Sequence, residues 1–138
     1  MRRAIFLDRD GTLNRERGYV ADPGQLEVVP GARDAVLRLD RAGWVLVVIT
    51  NQGGIAKGLY SHAALARVHE KLHAALDGLP RAYFHCPHHP EGPVGGGYEG
   101  LCACRKPQDG LLRQAATVLD LALDGSVVIG DSARDLLM

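Results

Sequence analysis

Asp8 and Asp10 stand two residues apart in the stretch 4–12, AIFLDRDGT. Carboxylates held this close raise each other's pKa unless a proton or a cation separates them. The apolar run 4–7 ahead of them reads as a strand buried on both faces. The acids therefore sit where a buried strand ends and Gly11 lets the chain turn. Such a pair suits a metal-assisted site in which the two acids do different work. The plain alternative is an ordinary strand capped by an Asp-Gly turn, and the rest of the chain decides between them.

Other polar residues follow the same plan. Thr50 comes directly after the apolar run 44–49, and Asp131 follows the run 126–129 inside GDSARD (130–135). Each would lie at the carboxyl end of a strand. Asp135, Arg105 and Lys106 join the set. Carboxylates clustered without histidine or cysteine suit a hard cation such as magnesium. Magnesium and a lysine beside a carboxylate nucleophile suit phosphoryl transfer, which needs charge neutralisation and alignment. One aspartate can carry the phosphoryl group, while a second acid protonates the leaving oxygen and later deprotonates water.

A second constellation is Cys86-x-His88 with Cys102-x-Cys104. Three thiols and an imidazole suit a closed, structural, tetrahedral zinc site, and all 3 cysteines of the chain are spent there. His85 and His89 are competing ligands, and His88 is preferred because its spacing from Cys86 matches that of Cys102 from Cys104. Incidental cysteines are the bland reading. Residues 89–101 lack a core of their own. Pinning their ends would offset loop-closure entropy and fix Arg105 and Lys106 beside the last ligand.

These residues need a frame. Apolar runs at 4–7, 44–49, 81–85 and 126–129 read as strands. Helical spacing marks 32–42, 61–77 and 110–121, with Ser61 and Asp109 as N-caps. The alternation predicts an α/β fold with a doubly wound, mainly parallel sheet. Ligands of such sheets bind at the strands' carboxyl ends. The gaps between elements leave no room for a large cap domain. His62, His69 and His73 are expected on the solvated face of the second helix, and Lys57 on the surface.

Bulk properties narrow the class. A chain of 138 residues with 46% apolar side chains is expected to fold as one domain, 1–138. Its 16 basic and 16 acidic side chains cancel, which gives no footprint for nucleic acid or anionic membrane. No run is long enough to span a bilayer, and the N-terminus has no signal-peptide core. A cytoplasmic monomer acting on a small phosphorylated molecule is the expectation.

The motifs DRDGT (8–12), IT (49–50), Lys106 and GDSARD (130–135) resemble the four motifs of haloacid dehalogenase superfamily phosphatases. That resemblance covers nearly the whole chain. It implies Asp8 as nucleophile, Asp10 as general acid and base, and Thr50 and Lys106 as holders of the phosphoryl oxygens. Magnesium would be bound by Asp8, the backbone carbonyl of Asp10, and Asp131. Asp135 would support Lys106, join the metal shell, or merely begin a helix.

Within the superfamily, GYV (18–20), TNQGGIAKG (50–58), CPHHP (86–90) and CxCRKP (102–107) resemble the heptose 1,7-bisphosphate phosphatases, which remove the 7-phosphate of a bacterial sugar precursor. The histidinol-phosphate phosphatases are near relatives. The heptose resemblance implies that Glu16, Arg17, Gly18, Tyr19, Thr50, Asn51, Gln52 and Gly53 line the sugar. Arg105 would read the second phosphate, a task its bidentate fork suits. Ser132 departs from the lysine that can follow GD. Family members also continue past the fourth motif, so the resemblance implies an early C-terminus and an exposed sheet flank. A histidinol-phosphate phosphatase, a nucleic-acid 3′-phosphatase and a catalytically impaired zinc-stabilised binding module are the competing readings.

Overall fold

The computed structural model describes residues 1–92, 97–98, 100 and 102–138. Strands β1 (Arg2–Leu7), β2 (Val45–Asn51), β3 (Ala82–Cys86) and β4 (Leu121–Ile129) form one sheet in the order β3-β2-β1-β4. Every pairing is parallel. Helices α1 (Ala32–Arg41), α2 (His62–Ala75) and α3 (Gly110–Leu119) make the connections, with a 3-10 turn at Pro23–Gln25, and α4 (Ala133–Leu136) follows β4.

The strands alternate because successive side chains point to opposite faces. Ile5, Leu7, Leu46 and Val48 pack on one face with Val36 of α1 and Val68 and Leu72 of α2. Ala4, Phe6, Val45, Val47 and Ile49 pack on the other with Leu111, Leu112 and Ala115 of α3. β1 and β2 are thus covered on both faces, as expected, while β4 leaves Leu123, Val127 and Ile129 exposed, and among the described residues no large cap stands over the sheet. Each fully buried large apolar side chain contributes about 1.5–3 kcal/mol, so β1 and β2 are the rigid base of the molecule.

Register brings the strand ends together. Leu7 pairs with Val48 on one side and Ile129 on the other, and the Asp8 amide donates to the Ile129 carbonyl at 2.9 Å. Thr50 pairs with His85, and Asn51 with Cys86. Asp8, Thr50 and Cys86 therefore emerge along one edge of the sheet.

Three sequence expectations are corrected. β4 begins at Leu121 rather than at 126, because Asp124-Gly125 is not a break. The register shifts between Arg3 and Ile5, Gly125 takes φ 80°, and Ser126 Oγ accepts from the Ala4 amide at 2.9 Å. Asp109 does not cap α3; its carboxylate accepts from Arg113 Nε at 2.8 Å instead. His69 is not on a solvated face, since it is half-buried against Arg9, just past β1, and Tyr83 of β3. Ser61 does cap α2, accepting from the Ala64 amide at 3.1 Å. Among the described residues no helix is long and apolar enough to cross a membrane.

Candidate active site

At the carboxyl edge of the sheet, Lys106 is buried between two acids. Its Nζ donates to Asp8 Oδ1 at 2.8 Å and to Asp135 Oδ1 at 2.6 Å. One cation thus faces two nearly inaccessible carboxylates, and Asp131 adds a third acid from the turn after β4. Ligand oxygens of Asp8, Asp131 and Asp135 lie within 4.8 Å of one another. Burial pushes the Asp8 carboxyl up to about 6, against the pull of Lys106 and with help from Asp135 and Asp131. The cluster therefore holds more negative charge than its lysine balances, which is the condition a hard divalent cation relieves.

Two local devices set this geometry. Gly11 has φ 84°, and a Cβ there would lie 1.9 Å from Asp131 Oδ2, so only glycine lets that carboxylate approach. Asp135 and Ser132 form a capping box on α4: Ser132 Oγ accepts from the Arg134 amide, and Asp135 Oδ2 accepts from the Ser132 amide at 3.2 Å. Asp135 thus begins a helix and supports Lys106 together, while Ser132 serves α4 where a lysine was expected. With Asp135 engaged on both oxygens, Asp8 and Asp131 are the carboxylates left for a metal.

Asp10 is clamped from several sides. Its Oδ1 accepts from Arg9 Nη2 at 2.7 Å, Arg9 Nε at 3.1 Å and Asn14 Nδ2 at 3.0 Å. Its Oδ2 accepts from Gln52 Nε2 at 3.1 Å, and Gln52 also donates to Thr50 Oγ1 at 2.9 Å. Arg9 and Asn14 escaped the sequence reading, although Arg9 lies inside the first motif.

Asp8, Asp10, Thr50 and Lys106 line a cleft of about 210 Å³ with Glu16, Gly18, Tyr19, Asn51, Gly53, Arg105 and Asp131. His89, Ser132 and Arg134 also line it and were not foreseen. Gly53 is a close approach: a Cβ there would meet His89 Cδ2 at 2.7 Å and Arg105 Nη1 at 3.2 Å. Two expected lining residues are elsewhere. Arg17 is drawn to Glu27 by opposite charge, and Gln52 is buried behind the cleft serving Asp10 and Thr50. Asn51 lines the cleft yet also brackets the Lys106 backbone, accepting from its amide at 2.9 Å. Lys57 is not a bare surface lysine, because its Nζ donates to Tyr19 Oη at 2.7 Å.

Beside the cleft lies the second cluster. Cys86 Sγ and Cys104 Sγ are each 3.4 Å from Cys102 Sγ, and His88 Nδ1 is 3.6 Å from Cys86 Sγ and 3.3 Å from Cys104 Sγ. Thiolates on a tetrahedral zinc at ~2.3 Å would be about 3.8 Å apart, so the set needs little expansion to hold one. Burial pushes the Cys86 thiol above its ordinary range, whereas, against burial, hydrogen bonds from Cys86, Cys104 and the Arg105 amide draw Cys102 below it. The Arg105 amide donates to Cys102 Sγ at 3.2 Å, and Arg105 Nη1 donates to the His88 carbonyl at 3.2 Å. Part of the expectation for the loop 89–101 falls on residues 93–96, 99 and 101, which lie outside the described residues.

The chain is similar to known proteins over nearly its full length. The HAD-hydrolase-like family matches residues 103–138. The D-glycero-beta-D-manno-heptose-1,7-bisphosphate 7-phosphatase of Bordetella bronchiseptica is 42% identical over 136 residues, covering 96% of this chain and 72% of that protein. The chain belongs to this phosphatase family. The Pasteurella multocida member is 40% identical over 144 residues, covering 99% of this chain and 75% of that protein. The crystal structure of the B. bronchiseptica phosphatase complexed with magnesium and phosphate has a TM-score of 0.84 at 40% identity. That match covers 98% of this chain and 73% of the other.

Proposed function

We propose that the protein is a magnesium-dependent phosphatase that removes the 7-phosphate of D-glycero-D-manno-heptose 1,7-bisphosphate through an aspartyl phosphate on Asp8. The observation that carries this reading is the pairing of Asp8, held by Lys106, with a separately clamped Asp10 in one cleft. Family membership supplies the substrate class, since the relatives bear that activity in their names.

Asp8 attacks phosphorus while Lys106 and Thr50 steady the phosphoryl oxygens. Asp10 gives its proton to the leaving sugar oxygen. Asp10, now a carboxylate, takes a proton from water, and the resulting hydroxide displaces phosphate from Asp8. The clamp of Arg9, Asn14 and Gln52 keeps Asp10 from rotating between these two duties. Magnesium fits the surplus negative charge at Asp8 and Asp131, with the Asp10 carbonyl as the expected third protein ligand. When bound it neutralises charge on the transferring group. Support comes from the related enzyme complexed with magnesium and phosphate.

Zinc fits Cys86, His88, Cys102 and Cys104, whose ligand atoms approach tetrahedral spacing. All four positions would be protein ligands, so the metal would be structural and would hold Arg105 over the cleft for the second phosphate. Glu16, Gly18, Tyr19, Asn51 and Gly53 would face the sugar. The test is phosphate release, with magnesium, from heptose 1,7-bisphosphate and from histidinol phosphate in parallel. Preference for the bisphosphate is expected; preference for histidinol phosphate would overturn the substrate assignment.

A further inference from the structure

The Arg9 guanidinium is sealed from solvent at 0% exposure. It is a costly group to bury, and two of its three nitrogens are spent on Asp10. The third, Nη1, lies 3.2 Å from His69 Nε2. A guanidinium has donors and no acceptor. His69 must therefore accept at Nε2 and carry its proton on Nδ1. Burial, followed by the Arg9 charge, keeps the imidazole neutral, with its pKa down to about 3. The ring is stacked on Tyr83 of β3 at 5.0 Å with an interplanar angle of 28°, so it cannot swing away freely. Tyr83, His69, Arg9 and Asp10 form a continuous line. It runs from the groove between α2 and β3 to the cleft carboxylate.

We infer that His69 is a positioning residue for the acid–base step: by accepting from Arg9 Nη1 it fixes the guanidinium fork that orients Asp10 toward the leaving oxygen. This rests on the reading of Asp10 as general acid and base. An acceptor is needed because an unpaired buried charged donor carries a heavy desolvation cost. The fork is planar and rigid. A guanidinium that tilts to recover a partner for Nη1 drags Nη2 and Nε off Asp10. Proton transfer is sensitive to such shifts, since a 1 Å misplacement can cost about 100-fold.

A positioning role and a merely structural one differ in their dependence on the leaving group. An alkoxide needs a proton as it departs, whereas p-nitrophenolate does not. His69→Leu removes the acceptor and keeps the bulk. Its kcat/KM for glycerol phosphate is expected to fall about 10- to 100-fold, and for p-nitrophenyl phosphate less than about threefold. His69→Gln, which can return an oxygen to Nη1, should recover most of the loss. Arg9→Lys, a buried cation without the fork, reports the same bias should the leucine variant fold poorly. Equal losses on both esters, or no loss on either, would overturn the inference. Asp10→Asn is measured alongside. If it lacks the bias, the acid–base reading itself falls; if it has the bias and neither His69→Leu nor Arg9→Lys does, only the positioning role falls.

Discussion

Among the described residues two clusters are able to hold a metal, and they are built in opposite ways. The carboxylate cluster gathers Asp8, Lys106, Asp131 and Asp135 from distant points in the chain. It contains its own cation, bonded to two of the acids. The thiol cluster draws all four ligands from 86–104 and has no cation among them. The first is held by the strand ends of the sheet. The second closes a loop, and on the proposed reading that closure would rely on a zinc ion. Chemistry is placed on the framework, and adjustable recognition on the loop.

Removing the built-in cation should break this contrast most severely. Lys106→Met leaves Asp8 and Asp135 buried and unpaired, a change expected to cost about 3–5 kcal/mol at neutral pH. Turnover should also fall at least about 100- to 1000-fold. Urea unfolding and steady-state kinetics check both. A variant as stable as the parent would show that the lysine does not balance the acids.

Stripping zinc with a strong chelator should act on recognition and leave the framework. Loss of Arg105 from a charged contact worth about 1.5–3 kcal/mol predicts a 10- to 100-fold fall in kcat/KM on the bisphosphate. Far-UV circular dichroism should change little. Global unfolding would mean that the loop is part of the framework after all. Gly11→Ala, in contrast, should touch only the first cluster. Its Cβ would displace Asp131, so magnesium is expected to bind about tenfold more weakly, as titration of activity against the ion would record.

The smallest effect is a pH dependence of stability. The folded pKa of His69, about 3, lies below its unfolded value, so the unfolded chain binds the extra proton. The His69 contribution is fully present above about pH 6.5 and is lost as pH falls toward 3. Between pH 7 and 5 that is about 1–2 kcal/mol, opposed in the same window by Asp8, whose raised pKa favours the folded chain as pH falls, so the difference between the parent and His69→Gln in urea melts isolates it.

Much of this was legible in the sequence because strand ends are legible. Short apolar runs located β1, β2 and the last part of β4, and the polar residues directly after them became the cleft. Metal-ligand chemistry exposed the thiol cluster for the same reason: residue type and spacing suffice. His69 was hidden because it borders the Leu65, Val68 and Leu72 stripe of α2, where a histidine reads as solvated. Only the approach of Arg9 from just past the end of β1 and of Tyr83 from β3 gives it a buried role. Arg9 was hidden because charged side chains are seldom fully buried, and its partner on Asp10 is its own neighbour. Arg17 and Glu27 show the converse, as an exposed pair across a turn takes a residue out of a motif. The start of β4 was missed because an Asp-Gly pair reads as a turn, although a register shift absorbs it within the strand.

The central claim is that Asp8 carries the phosphoryl group. The direct measurement is to quench the enzyme during turnover of a phosphate ester with hydroxylamine and map the adduct by tandem mass spectrometry. Asp8 is expected to appear as the hydroxamate, in greater yield in Asp10→Asn and not at all in Asp8→Asn. A hydroxamate on Asp10, or sustained turnover by Asp8→Asn, would contradict the account.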